Sequence, residues 1–101
     1  MSIETGIDEK SKEKIVAVIS ALFPDAKIYL FGSRATGKFG HGSDIDIAID
    51  AGVALERVDV GEARDMFGES NIPFKIDVVD LNRISQDMKD TILEKGILWK
   101  S

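Results

Sequence analysis

Between Asp44 and Asp50 the chain reads Asp-Ile-Asp-Ile-Ala-Ile-Asp, and this unbroken alternation admits one backbone conformation. In an extended strand it places Ile45, Ile47 and Ile49 on one face and Asp44, Asp46, Ala48 and Asp50 on the other. A helix would scatter the isoleucines around its circumference. The apolar face demands a layer packed against it, so the strand belongs to a sheet with at least one covered side. The opposite face is less ordinary. Aspartate is a poor strand former, and like charges on one face repel unless something neutralises them.

The flanking sequence supplies the covering elements. From Asp8 to Leu22, Ile15, Val18, Ile19 and Leu22 recur at helical spacing among Glu and Lys, which predicts an amphipathic helix ended by Phe23-Pro24-Asp25. Lys27 to Phe31 reads as a short buried strand, and Gly32 to Ser43, with four glycines in twelve residues, as a loop. Beyond the aspartate strand the pattern predicts a helix from Ala54 to Phe67 and a strand from Phe74 to Val79. A last helix, capped by Asn82 or Ser85, runs to Lys95 with Gly96 stopping it, and Ile97-Leu98-Trp99 follows as a short apolar tail. Helix, strand, strand, helix, strand, helix, without a repeated βαβ unit, predicts an α+β (α/β) fold, a small mixed sheet flanked by helices.

With 101 residues and 44% apolar composition, one core and one domain over residues 1–101 are expected. The chain has no cysteine, so a metal site must use oxygen ligands or the lone His41. A net charge of −5 argues against a module that wraps duplex nucleic acid, which draws its affinity from Lys and Arg on phosphates. The polar N-terminal segment and the lack of a run of roughly 20 apolar residues predict a cytoplasmic protein without a membrane span.

Chemistry concentrates in Gly32-Ser33, Asp44-Ile45-Asp46 and the later Asp77. Two aspartates two apart on a strand share a face with Cα atoms roughly 6.5–7 Å apart, a spacing that suits hard divalent cations. A glycine directly after a strand lets the backbone approach a phosphate, to which the Ser33 hydroxyl and the amides of Ser33 and Arg34 can donate. Asp77 is the best third carboxylate, with Asp80 its competitor. Arg34 suits two roles equally, steadying a phosphate or steadying the turn. Lys38 and His41 are expected to be exposed loop residues, Asp50 a solvated or strand-end residue, and Trp99 core filling.

Gly-Ser-Arg-Ala-Thr-Gly at 32–37, Ser-Asp-Ile-Asp-Ile-Ala-Ile-Asp at 43–50 and Lys-Ile-Asp-Val-Val-Asp-Leu at 75–81 together resemble the nucleotidyltransferase superfamily typified by DNA polymerase β, in particular its minimal stand-alone branch. The resemblance implies that Asp44 and Asp46 bind two Mg²⁺ ions, that Asp77 binds one of them and helps deprotonate the acceptor, and that Ser33 contacts the triphosphate of ATP or another NTP. It implies transfer of a nucleoside monophosphate to a hydroxyl with release of pyrophosphate. It further implies a HEPN-type helical partner protein, a toxin neutralised by adenylylation of a tyrosine.

Two other motifs compete for the same residues and fail. Gly32 to Lys38 fits the start of a P-loop, yet Phe39 stands where Ser or Thr must meet Mg²⁺, and Gly40 and Gly42 oppose the required helix. Asp44-x-Asp46 also opens a calcium loop, but Ala48 and Ile49 occupy positions that need an oxygen ligand and a glycine. Two alternatives to protein adenylylation stand beside it: a low-activity domain that neutralises its partner by complex formation, and a transferase acting on a small molecule. Because 101 residues leave none for an acceptor domain, the acceptor must be docked by a partner or by a second copy of the chain.

Overall fold

The computed structural model describes residues 4–101, so the first three residues of the polar N-terminal segment lie outside it. Its elements run α1 (Glu9–Leu22), β1 (Lys27–Phe31), α2 (Ser33–Thr36), β2 (Ile45–Asp50), α3 (Arg57–Gly68), β3 (Ile76–Asp80), α4 (Gln86–Lys95) and β4 (Ile97–Lys100). The four strands form one mixed sheet in the order β3-β2-β1-β4. β1 is antiparallel to both β2 and β4, whereas β2 and β3 are parallel.

The isoleucine face of β2 lies at the centre of the molecule. Ile45, Ile47 and Ile49 pack with Ile28 and Leu30 of β1, Val78 of β3, Ile15 and Ile19 of α1, and Val60, Ala63 and Phe67 of α3. Each of these isoleucines is fully buried, and burial of such a side chain contributes roughly 1.5–3 kcal/mol. α1 and α3 therefore cover one side of the sheet. α1 is started by Asp8, whose carboxylate accepts from the Ser11 amide at 3.2 Å and is held below the usual carboxylate range chiefly by its bonding to Ser11.

The other face is covered only in part. α4 lays Ile92 over Ala48 and Leu81, with Tyr29, Phe31, Val79 and Ile84 around them. Ala48, expected among outward-facing polar residues, is thus fully buried, and β2 is covered on both sides along its second half. Towards its first half that cluster ends at Phe31, the half-buried register partner of Asp46.

Four features differ from the sequence expectation, each for a local reason. α3 begins at Arg57 because residues 51–56 are held as a loop, with Asp50 accepting from the Gly52 amide at 2.9 Å and Asp80 from the Leu55 amide at 2.6 Å. The glycine-rich stretch contains the short helix α2, ended by Gly37. The apolar tail is the edge strand β4, with Trp99 half-buried against the core and Lys12 Nζ 5.6 Å from its ring centre. β3 starts at Ile76, because Phe74 leaves the strand path to stack on Arg34.

At the end of α4, Ser85 is the residue that caps its start, accepting from the Met88 amide at 3.2 Å. Gly96 ends the helix in an extended conformation, φ −73°, so its role is not a left-handed turn. A Cβ at Gly96 would collide with the Ile92 carbonyl oxygen and lie 3.1 Å from that of Leu30, so glycine is needed where α4 gives way to β4 against β1. Among the described residues no helix is long and apolar enough to cross a membrane.

Candidate active site

The uncovered part of the sheet gathers the residues that the sequence singled out. In the antiparallel register Asp46 stands opposite Phe31, the last residue before Gly32. In the parallel register Asp46 stands opposite Asp77 on β3. Asp44 precedes the first residue of β2 and lies within electrostatic reach of Asp46. Gly32, Asp44, Asp46 and Asp77 are thereby brought to one end of one sheet face.

The electrostatics of this end follow from that packing. The Asp46 carboxyl is pushed above the usual carboxylate range, first by its partial burial and then by the charges of Asp77 and Asp44. None of the three carboxylates forms an ion pair, the one such pair among the described residues being Arg83 with Asp80. The repulsion is therefore left for an external cation to relieve. No three acidic or histidine side chains among the described residues are drawn together tightly enough to enclose an ion unaided.

Gly32 has φ 77° and ψ −156°, a backbone region essentially confined to glycine. A Cβ built there would overlap Asp46 Oδ2 and stand 3.1 Å from its Cγ. The strand-to-helix turn thus rests directly against the central carboxylate, and any side chain at Gly32 would push the two apart. α2 then starts at Ser33, so the amides of Ser33 and Arg34 are first-turn donors without partners inside the helix. Ser33 is half-buried and its hydroxyl makes no hydrogen bond among the described residues, while its carbonyl accepts from the Lys38 amide at 2.9 Å.

Of the two roles open to Arg34, its side chain performs the structural one. The residue is buried, with Nε and Nη2 donating to the Ser43 carbonyl at 3.1 and 2.9 Å and Nη1 to the Thr5 carbonyl at 2.9 Å. Phe39 and Phe74 sandwich it at 4.8 and 4.9 Å from the guanidinium carbon. It fastens the loop that delivers Asp44, and its backbone amide remains for a ligand. The stacking partners sit 5 and 40 positions away in sequence, so this use of the arginine had no local signal.

Asp80 and Asp50 are committed elsewhere. The side chain of Asp80 is 3% exposed and accepts from the Leu55 amide at 2.6 Å and the Asn82 amide at 3.0 Å, with Arg83 Nε 3.7 Å away. It points to the core side and braces the loop before α3. Asp50 accepts from Gly52 and from the Asn82 side-chain amide at 3.0 Å, and the latter bond is the main reason its carboxyl is held below the usual range. Asp77, by contrast, is exposed and has no hydrogen bond among the described residues. Lys38 follows the end of α2 instead of opening a helix, which removes the P-loop geometry, and His41 lies in an exposed turn.

Comparison with known proteins agrees with this arrangement. The family model described as "Polymerase beta, Nucleotidyltransferase" matches residues 13–101. A Haemophilus influenzae protein named "Probable protein adenylyltransferase MntA" is 32% identical over 88 residues, covering 85% of this chain and 77% of its own. A crystal structure of a toxin-antitoxin with AMP-PNP contains a chain 29% identical with a TM-score of 0.75, the match covering 87% of this chain and 71% of that one. An antitoxin of the minimal nucleotidyltransferase type, solved in complex with a tri-AMPylated Shewanella oneidensis HEPN toxin, reaches a TM-score of 0.71 at 26% identity, over 90% of this chain and 70% of the other. The glycine turn, the aspartate pair at the start of β2 and the sheet order thus have one common explanation: this chain belongs to the polymerase β-type nucleotidyltransferase family.

Proposed function

We propose that the protein transfers AMP from ATP to a hydroxyl of a HEPN-type partner protein and thereby acts as its antitoxin. The observation that carries this reading is the register that sets Asp46 beside Asp77 and against the Gly32 turn. Support comes from the relatives, one named a protein adenylyltransferase and another seen beside an AMPylated toxin.

The donor set suits magnesium. All three side chains are carboxylates, mutually repelling and unpaired, and too open to enclose an ion without further oxygen ligands. Mg²⁺ characteristically takes one or two carboxylates and completes its shell with water and substrate phosphates. We assign Asp44 and Asp46 to two such ions and Asp77 to one of them. When bound, the ions would neutralise the triphosphate and the charge that develops during displacement.

The chain's own residues do the rest. The amides of Ser33 and Arg34 and the Ser33 hydroxyl hold the triphosphate at the turn, and Arg34 keeps the loop bearing Asp44 in place. Asp77, at the open edge, orients the acceptor hydroxyl and takes its proton. The acceptor oxygen bonds to the α-phosphorus as the bond from that phosphorus to the bridging oxygen breaks, and pyrophosphate leaves. Catalysis is then mainly positioning and charge neutralisation.

Co-expression with the toxin tests the reading. Wild-type protein should restore growth and increase the mass of the toxin by whole AMP residues, and Asp44→Asn should do neither. Rescue by Asp44→Asn without a mass change would favour neutralisation by complex formation, because an interface needs no metal chemistry.

A further inference from the structure

Beyond the free edge of β3 the surface opens into a cavity of about 360 Å³ into which Arg57 and Arg64 of α3 and Arg83 of the following loop converge, over a floor that includes Val79 and Ile84. In a chain of net charge −5, three arginines in one cavity are a local inversion of sign. Two are fixed by backbone carbonyls: Arg64 Nη2 donates to Val78 O at 2.6 Å and Arg83 Nε to Leu55 O at 2.8 Å. Their remaining N–H groups stay available in a set orientation. Arg57 is exposed and forms neither a hydrogen bond nor an ion pair among the described residues. Asp80 is the one acid lining the cavity, and its oxygens are taken by the Leu55 and Asn82 amides. The cavity therefore carries a positive surplus.

Its position gives the surplus a purpose. Val79 shares a sheet face with Asp77 and lies two residues along β3, roughly 6.5–7 Å away between Cα atoms. The arginines of α3 reach the cavity from the core side of the sheet and Val79 from the other, so the cavity wraps the edge strand that bears Asp77. Val60, Val79 and Ile84 line the cavity beside the arginines, so it offers apolar contacts as well as cations. No aromatic side chain lines the cavity to stack on a base, which speaks against single-stranded nucleic acid as the occupant.

We propose that this arginine cavity docks an acidic, partly apolar segment of the acceptor protein and so presents its hydroxyl to Asp77. The inference rests on the transfer reading for the location of the acceptor, but its test is read without ATP and so stands apart from it. The probes are a fluorescein-labelled peptide with one tyrosine flanked by glutamate and leucine, the same peptide with lysine for glutamate, and a labelled single-stranded RNA of equal length. By anisotropy the full chain should bind the acidic peptide in preference to both others, with affinity falling as salt rises. Arg57→Glu should weaken that binding by about tenfold or more and Arg57→Ala by less, since reversal adds repulsion to the lost attraction. ATP affinity, measured by calorimetry, should stay unchanged in both variants. The proposal is overturned if wild type binds no acidic peptide at millimolar concentration, if Arg57→Glu binds it as well as wild type does, or if RNA is preferred.

Discussion

Asp46→Asn is expected to slow nucleotidyl transfer by about 10³-fold, the rate equivalent of several kcal/mol of charge stabilisation, while raising the melting temperature of the chelator-treated protein at neutral pH. The rate falls because a ligand charge is lost, and the stability rises because a repelled charge is removed. Burial and the charges of Asp77 and Asp44 lift the Asp46 carboxyl above its ordinary value, so the native state holds this proton more tightly than the unfolded chain does. Ionised Asp46 thus opposes folding. That penalty is fully present above the folded value and disappears as the pH falls below the unfolded value of 3.8. Asparagine removes it at every pH. The melting curves of variant and wild type should therefore lie furthest apart near pH 7 and draw together towards pH 4. A variant that melts below wild type at pH 7 and keeps its activity would contradict the assignment.

Asp80→Ala is expected to act in the opposite sense, destabilising the fold by about 2–4 kcal/mol, because it leaves two amides unpaired and frees the loop before α3. For a domain of this size that is a fall in melting temperature of roughly 10–20 °C. Asp77→Asn, which changes an exposed group without hydrogen bonds among the described residues, should stay within about 0.5 kcal/mol of wild type and yet lose transfer. Urea denaturation and pyrophosphate release separate the two. A stable but inactive Asp80→Ala beside an active Asp77→Asn would exchange their roles.

The contrast between these two aspartates marks where sequence ceased to suffice. Both interrupt the same run of β-formers, three positions apart, and nothing local says which one faces the carboxylate pair. The answer lies in the register of β3 on β2, which pairs Asp77 with Asp46 and Ile49 with Asp80 and turns Asp80 towards the core side. Pairing between distant segments also explains why β4 read as a mere tail. Four residues carry too little periodicity, and their strand character comes from bonding to β1. α2 was hidden for a related reason, as four residues between two glycines show no helical period. Ala48 lies on the face that alternation gives it, but its burial was hidden because alternation reports the two faces of a strand and not what covers the second. What alternation does report, the isoleucine face of β2, became the centre of the core.

Arginine-stacking and arginine-lined features were likewise out of reach of pattern reading. Arg34 is surrounded by aromatics from two loops, and Arg57, Arg64 and Arg83 meet only because α3 packs along β3. By contrast, the Gly-Ser turn and the Asp-x-Asp spacing at the start of β2 are local patterns, which is why the sequence alone singles them out as candidates. They were legible before any coordinate.

Transfer of the α-phosphorus, as opposed to any other part of the nucleotide, is the central claim, and isotope position tests it directly. The HEPN-type partner is incubated with the protein, Mg²⁺ and ATP labelled with ³²P at either the α or the γ position. The account predicts label on the partner from α-labelled ATP alone, released pyrophosphate carrying the γ label, and neither product with Asp46→Asn. Label reaching the partner from γ-labelled ATP, or transfer undiminished in Asp46→Asn, would contradict it.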